Sequence, residues 1–275
     1  MIIWIASYPK SGNTWIRSFL ASYLYSNKNE FNFDNLKHIQ AFGQLKHYKN
    51  SISNFNDVDQ ISNSWIKIQE RVNQDKIVKF FKTHNGLYKV GDSYFTNKQN
   101  TLGAIYIVRD PRDIVISASH HYGKSHKETV EMLFDNGNVE TFIENGQEYT
   151  RSVIGSWSNH FGSWNSLRND EKVIIRYEDL HYKPEIECKK LLKFISQFIN
   201  IEISDEKITK SLQSTNFNKL KDLEKNTGFV EQHKNREFFR SGNVGEWKKA
   251  LDKKLSDKIE SRFLKEMNQL GYLNN

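Results

Sequence analysis

The sequence contains one cysteine, Cys188, so no disulfide can form within the chain. That excludes a disulfide-stapled secreted scaffold and fits a reducing, cytoplasmic setting. A lone thiol also cannot build a thiolate-rich zinc site. Cys188 falls in an apolar helical pattern with Leu191, Leu192 and Ile195, which makes it a buried structural thiol rather than a nucleophile. No apolar run approaches the ~20 residues that a membrane-spanning helix needs, so no span is expected. The first residues lack a basic segment and a cleavage site, and read as a core strand rather than a signal peptide. Internal repeats, linkers and low-complexity tracts are also missing, so residues 1–275 are expected to form one domain. No carboxylate cluster suits Mg²⁺, and no metal is expected. His120, His121 and His126 fall close together and read as packing or solvent-facing side chains.

Charge is what the chain has in surplus. Lys and Arg number 40 against 33 Asp and Glu, a net charge of +7. Such a balance favours anionic partners such as nucleotides or phosphates. No nucleic-acid-binding module accompanies it, so nucleic acid is not an expected partner. A hydrophobic share of 37% is ordinary for a globular protein.

Residues 2–6 form a short, wholly apolar run, as in a strand buried on both faces. A polar turn follows, and then a helical stripe of Trp15, Ile16, Phe19, Leu20, Tyr23 and Leu24. Residues 26–75 are polar, with short helical stretches and no clear core strand. Further strands are expected at 77–82, 103–108 and 172–177, and helices from Pro111, over 151–167, over 184–198 and over 247–269. Residues 225–246 read as a loop. Strands alternating with helices predict an α/β domain with a central parallel sheet flanked by helices and a P-loop-like phosphate-binding turn. Residues 26–75 and 120–150 are assigned as excursions that build an acceptor site. Tyr122, Phe134 and Phe142 are candidates for an apolar pocket there, with core packing the competing role for the two phenylalanines.

Four stretches carry chemistry. Residues 8–15, Y-P-K-S-G-N-T-W, place a glycine and polar side chains between a strand and a helix N-terminus, where backbone N–H groups make an anion cradle. Gly12 lets the backbone approach closely, Lys10 adds a point charge, and Ser11 and Thr14 add hydroxyls. This is not a Walker A loop, because Lys10 precedes Gly12 and the upstream glycine is absent. Arg109 lies at a strand's carboxyl end with Ser117 two helical turns on, a place where open α/β sheets gather ligands. Asp110, Arg112 and Asp113 are assigned to helix capping and surface pairing. Lys82-Thr83-His84 sets a titratable imidazole after a strand, beside a cation. Arg240 with Gly242 and Gly245 suggests a loop that closes on an anion.

These motifs, in this order, resemble the sulfotransferases that use 3′-phosphoadenosine 5′-phosphosulfate (PAPS). The resemblance runs from about residue 2 to about residue 250. It implies that Lys10 stabilises the leaving phosphate, that Ser11, Gly12, Asn13 and Thr14 hold the 5′-phosphate, and that Trp15 packs on the adenine. It further implies that His84 is the catalytic base with Lys82 in support, that Arg109 and Ser117 bind the 3′-phosphate, and that Tyr177 reaches the adenine side. The family's T-S-F element is met in part by Thr215-Asn216-Phe217. Its R-K-G-x-x-G-D-W element appears over residues 240–247, with Arg240, Ser241 and Gly242 on the 3′-phosphate. Ser241 stands where the family has Lys, which removes one cation, and Glu246 stands for Asp. The family's subunit-pairing pattern is not visible after Trp247, so the oligomeric state is open.

The resemblance implies in-line transfer of a sulfuryl group to a hydroxyl or amine acceptor. PAPS would be the donor, 3′,5′-adenosine bisphosphate (PAP) the product, and the acceptor a small molecule, glycan or lipid. Two other readings compete. One is a nucleotide-dependent phosphotransferase, against which the position of Lys10 counts. The other is a sulfotransferase-like binding protein without activity, against which Lys10 and His84 count.

Overall fold

The computed structural model describes residues 1–141, 143–144, 147–232 and 236–273. A five-stranded parallel sheet forms its centre. The strands are β1 (Ile2–Ser7), β2 (Ile39–Ala41), β3 (Lys79–Thr83), β4 (Thr101–Val108) and β5 (Lys172–Arg176), in the spatial order β5-β4-β1-β3-β2. Every residue of β1 is buried. Ile2, Trp4 and Ala6 point to one face and pack in a cluster with Trp157, Trp164 and Phe263. Ile3 and Ile5 point to the other, among Phe19, Leu191 and Leu192. Helices cover both faces, which is why β1 reads as an unbroken apolar run rather than an alternating one.

Strand order leaves β1 in two directions, to β3 and β2 on one side and to β4 and β5 on the other. Such a reversal opens a crevice at the carboxyl ends of the strands, the usual ligand position in open α/β sheets. Three elements feed it: helix α1 (Asn13–Tyr25) after β1, helix α2 (Pro111–Tyr122) after β4, and helix α4 (Tyr177–Tyr182) after β5. Helices α3 (Trp157–Asn165), α5 (Pro184–Ile195) and α6 (Phe217–Thr227) complete the frame around the site.

Several boundaries differ from the expectation. β2 is a strand within 26–75 that no pattern announced. Its three residues pair with Phe80, Phe81 and Lys82 of β3, and its length is too short to show a period. The expected helix over 247–269 is three pieces, Trp247–Ala250, Lys253–Arg262 and Leu264–Gln269. Asp252 starts the second by accepting from the Lys254 N–H, and the non-helical Phe263 ends it. Cys188 is fully buried. Phe134 packs edge-on against Phe263, a core contact, and Phe142 lies outside the described residues. Among the described residues, no helix is long and apolar enough to cross a membrane.

Candidate active site

A cavity of 590 Å³ opens at the carboxyl ends of β1, β3 and β4. All the residues expected to bind the donor or to catalyse transfer line it, except Ser11 and Thr215; of the acceptor-pocket candidates Tyr122 lines it and Phe134 does not. Ser11 is fully buried beneath the turn. Thr215, also fully buried, donates to the Ser211 carbonyl oxygen at 2.7 Å and so closes its own helix. The Thr215 hydroxyl is thus engaged with its own helix, and Ser11 Oγ is buried without a hydrogen-bond partner among the described residues.

The cradle follows from the turn at residues 8–12. Gly12 is the N-cap of α1 at φ +101°, and no side chain caps the helix. By contrast, α2, α3 and α6 carry the caps Asp110, Ser156 and Asn216. The first N–H groups of α1 thus have no side-chain acceptor and lie at the positive end of the helix, the arrangement that holds an anion. Asn13 turns its amide inward, donating to the Ile5 carbonyl oxygen at 3.0 Å and to Ser7 Oγ at 3.2 Å. Its side chain fastens the helix to β1, which leaves its backbone N–H for the cradle. Lys10, at φ +65°, holds its ammonium 3.7 Å from the centre of the Phe238 ring. Burial, with the cations of Arg109 and Lys82 nearby, outweighs Glu231 and brings the Lys10 pKa down to about 7.

Arg109 leaves the end of β4 and places its guanidinium over the Tyr177 ring, 4.1 Å from its centre. Its guanidinium donates to the carbonyl oxygens of Lys10 at 3.3 Å and Asn243 at 2.9 Å, so it joins the cradle to the 240–247 loop. Tyr177 donates its hydroxyl to the Gly242 carbonyl oxygen at 2.8 Å, and Trp15 meets the Tyr177 ring edge-on at 5.8 Å. Gly242, at φ +70°, passes so close to Phe217 that a Cβ would lie 2.3 Å from its ring. Arg240 is paired with Glu246 at 2.5 Å. Ser117 lines the same wall.

Asp110, Arg112 and Asp113 differ from the expected surface pairing, since all three are buried. Arg112 pairs with Asp110 at 2.6 Å and Glu260 at 2.6 Å, and stacks 3.7 Å over Trp247. Asp113 accepts from the N–H groups of Gly245 at 2.7 Å and Trp247 at 3.0 Å. The start of α2 therefore anchors the 240–247 loop, because a buried acid requires donors and this loop supplies them.

His84 sits just past β3, 9% exposed. Its Nδ1 lies 2.7 Å from the Ser7 carbonyl oxygen and 3.3 Å from Ser7 Oγ. A carbonyl can only accept, so Nδ1 carries the proton and Nε2 keeps its lone pair. Burial and the Lys82 charge lower the His84 pKa to about 3, so the ring is neutral at ordinary pH. Behind it, His160 Nε2 donates to the His84 carbonyl oxygen at 3.2 Å while Tyr106 Oη donates to His160 Nδ1 at 2.9 Å.

Two residues at the site carried no sequence signal. Glu231 reaches the cradle from the segment after α6, and Arg17 lies on α1. The Glu231 carboxylate pairs with Arg17 at 2.5 Å and Lys82 at 2.8 Å, and accepts from Thr14 Oγ1 at 3.3 Å. Burial pushes its pKa up, but the Lys82 and Arg17 cations hold it well below the usual carboxylate range.

An uncapped helix N-terminus ringed by cations, with a neutral imidazole alongside, defines an anion-binding site on an open parallel sheet. A family model described as the sulfotransferase domain matches residues 2–271, and the chain belongs to that family. Relatives include mouse sulfotransferase 1 family member D1, 27% identical over 96% of this chain and 83% of the relative. Cytosolic sulfotransferase 1 of Arabidopsis thaliana is 26% identical over 93% of this chain and 75% of its own length. Rabbit amine sulfotransferase is 23% identical over 96% and 80%. In fold, the chain is similar to mouse sulfotransferase SULT7A1 complexed with PAP, with a TM-score of 0.63 and 22% identity over 97% of this chain and 84% of that one. It is also similar to retinol dehydratase in a complex with retinol and PAP, with a TM-score of 0.66 and 19% identity over 97% and 81%.

Proposed function

We propose that this chain moves a sulfuryl group from PAPS to a hydroxyl or amine of a small acceptor, in the cytoplasm, with His84 as the base. The observation that carries the reading is the His84 tautomer. The Ser7 carbonyl oxygen accepts from Nδ1, so the proton acceptor of the neutral ring is Nε2, in a residue that lines the same cavity as Lys10 and Lys82. The cradle suits an anionic donor, since a carboxylate already sits against Thr14 and Lys82 there.

In this reading His84 Nε2 takes the acceptor's proton as the acceptor atom bonds to sulfur. The bond from sulfur to the bridging phosphate oxygen breaks, and the electron pair stays on that oxygen. Lys10 and Lys82 balance the charge that grows there, as fixed charges do without reorganisation. The N-terminal amides of α1 with Thr14 hold the 5′-phosphate, and Arg109, Ser117, Arg240 and Gly242 hold the 3′-phosphate. Trp15, Tyr177 and Phe217 enclose the adenine. Tyr122, Met132, Val139 and Phe238 also line the cavity and offer an apolar seat for the acceptor.

The test is transfer of labelled sulfate from PAPS to a panel of alcohols, phenols and amines, run beside Mg²⁺-ATP as donor. Transfer from PAPS supports the reading. Phosphoryl transfer from ATP in its absence replaces it with a phosphotransferase.

A further inference from the structure

Arg17, Lys82 and Thr14 form one pocket for a small anion, and Glu231 fills it. Arg17 follows Thr14 by three residues on α1, so both side chains share a face. The Arg17 side chain is 4% exposed, with one nitrogen on Glu231 and another donating to the Ile39 carbonyl oxygen at 3.1 Å. A guanidinium buried this far needs an anionic partner. It lies outside the cavity wall, which Glu231 itself forms, so withdrawal of that carboxylate would bare Arg17 to the cavity. Thr14 Oγ1 has a single proton and gives it to Glu231. The donor's 5′-phosphate, under the proposed function, calls on the same proton and the same cations.

We infer that Glu231 is a built-in stand-in for the donor's anionic end, and that Arg17 is a further donor-binding residue uncovered when Glu231 leaves. This inference rests on the PAPS reading above. A carboxylate and a phosphate cannot share one hydroxyl proton, and two negative charges that close repel. Donor binding therefore displaces Glu231, and the empty enzyme keeps its buried cations paired in the meantime. A purely structural ion pair behaves in the opposite way, since removing its acid leaves the cations uncompensated and loosens the site.

The experiment is calorimetric titration of the full-length chain with PAP. Glu231→Gln should bind PAP at least about 10-fold more tightly than the parent, a gain of about 1.4 kcal/mol. In that background, Arg17→Gln should lose about 10-fold. Glu231→Asp, which keeps the charge but shortens the reach by one methylene, should tighten binding by a smaller factor and serves if Glu231→Gln does not fold. Unchanged or weaker binding in the Glu231 variants overturns the inference while leaving the donor reading intact. Unchanged affinity on loss of Arg17 overturns its role. If neither parent nor variant binds PAP, the donor reading falls and this inference with it.

Discussion

Gly12 and Tyr177 are in contact at a distance only glycine allows, since a Cβ at Gly12 would lie 2.6 Å from the tyrosine ring. Gly12 also sits at φ +101°. Gly12→Ala must therefore both strain the backbone and push away the ring that seats Arg109, so PAP affinity should fall at least ~10-fold. Gly245 is the control. It too has positive φ, at +78°, but a Cβ there meets nothing within 4 Å. Gly245→Ala should cost about 1–2 kcal/mol of stability from the backbone alone, read from denaturant midpoints, and leave the cradle's affinity within threefold. Equal effects at the two sites would contradict the contact.

His84→Ala should lower turnover by at least ~100-fold, the low end for a lost general base, while PAP affinity stays within threefold. Rates near the parent's, with an acceptor that the parent uses, would remove His84 from the base role. Loss of PAP binding in step with turnover would assign it to the donor cradle instead.

Lys10 provides a pH signature. Its pKa of about 7 in the free enzyme means the ammonium is largely charged below pH 7 and largely neutral above it. A phosphate selects the charged form, so binding above pH 7 takes up a proton. PAP affinity should weaken by up to ~10-fold per pH unit above 7, where the ligand's own phosphates, with a second pKa of about 6, are already ionised. Calorimetry in buffers of different ionisation enthalpy reads the proton directly, and Lys10→Met should abolish the uptake. Uptake that persists in that variant assigns the proton to another group.

The buried histidines His84 and His160 contribute to the acid dependence of stability. Both His84 and His160 are held near a pKa of about 3 against an ordinary 6.5, mainly by burial. Between those values the unfolded chain binds protons that the folded chain refuses. Stability is thus full above about pH 6.5 and falls as pH drops towards 3, by up to about 1.4 kcal/mol per unit for each histidine. Urea midpoints from pH 7.5 to 5 should show the decline, and His160→Gln should make it shallower than the parent's. A profile as steep as the parent's would contradict the assignment of His160.

Arg112 is a structural cation. It ties Asp110, Glu260 and the Tyr272 carbonyl oxygen together beneath the 240–247 loop. Arg112→Ala strands a buried acid and should cost about 3–5 kcal/mol. A change below 1 kcal/mol in denaturant unfolding would show that the network contributes little.

The central sheet could be read from the chain because burial on both faces leaves unbroken apolar runs at residues 2–6 and 103–108. The cradle could be read because its glycine, lysine and hydroxyls are consecutive. β2 could not, since three residues in a polar stretch show no period. Arg112 and Asp113 look like ordinary surface charges until the 240–247 loop folds over them, more than a hundred residues later in the chain. Glu231 was hidden for the same reason. It stands 217 residues from Thr14, in a polar segment with nothing to mark it. Local motifs announce themselves, whereas a partner brought in by tertiary folding does not.

The most direct test of the donor assignment is calorimetric titration with PAP beside ADP and ATP, each with and without Mg²⁺. PAP binding independent of the metal and at least ~10-fold tighter than ADP, about 1.4 kcal/mol, is the expected result. Preference for ATP with Mg²⁺ would contradict it and turn the cradle into that of a phosphotransferase.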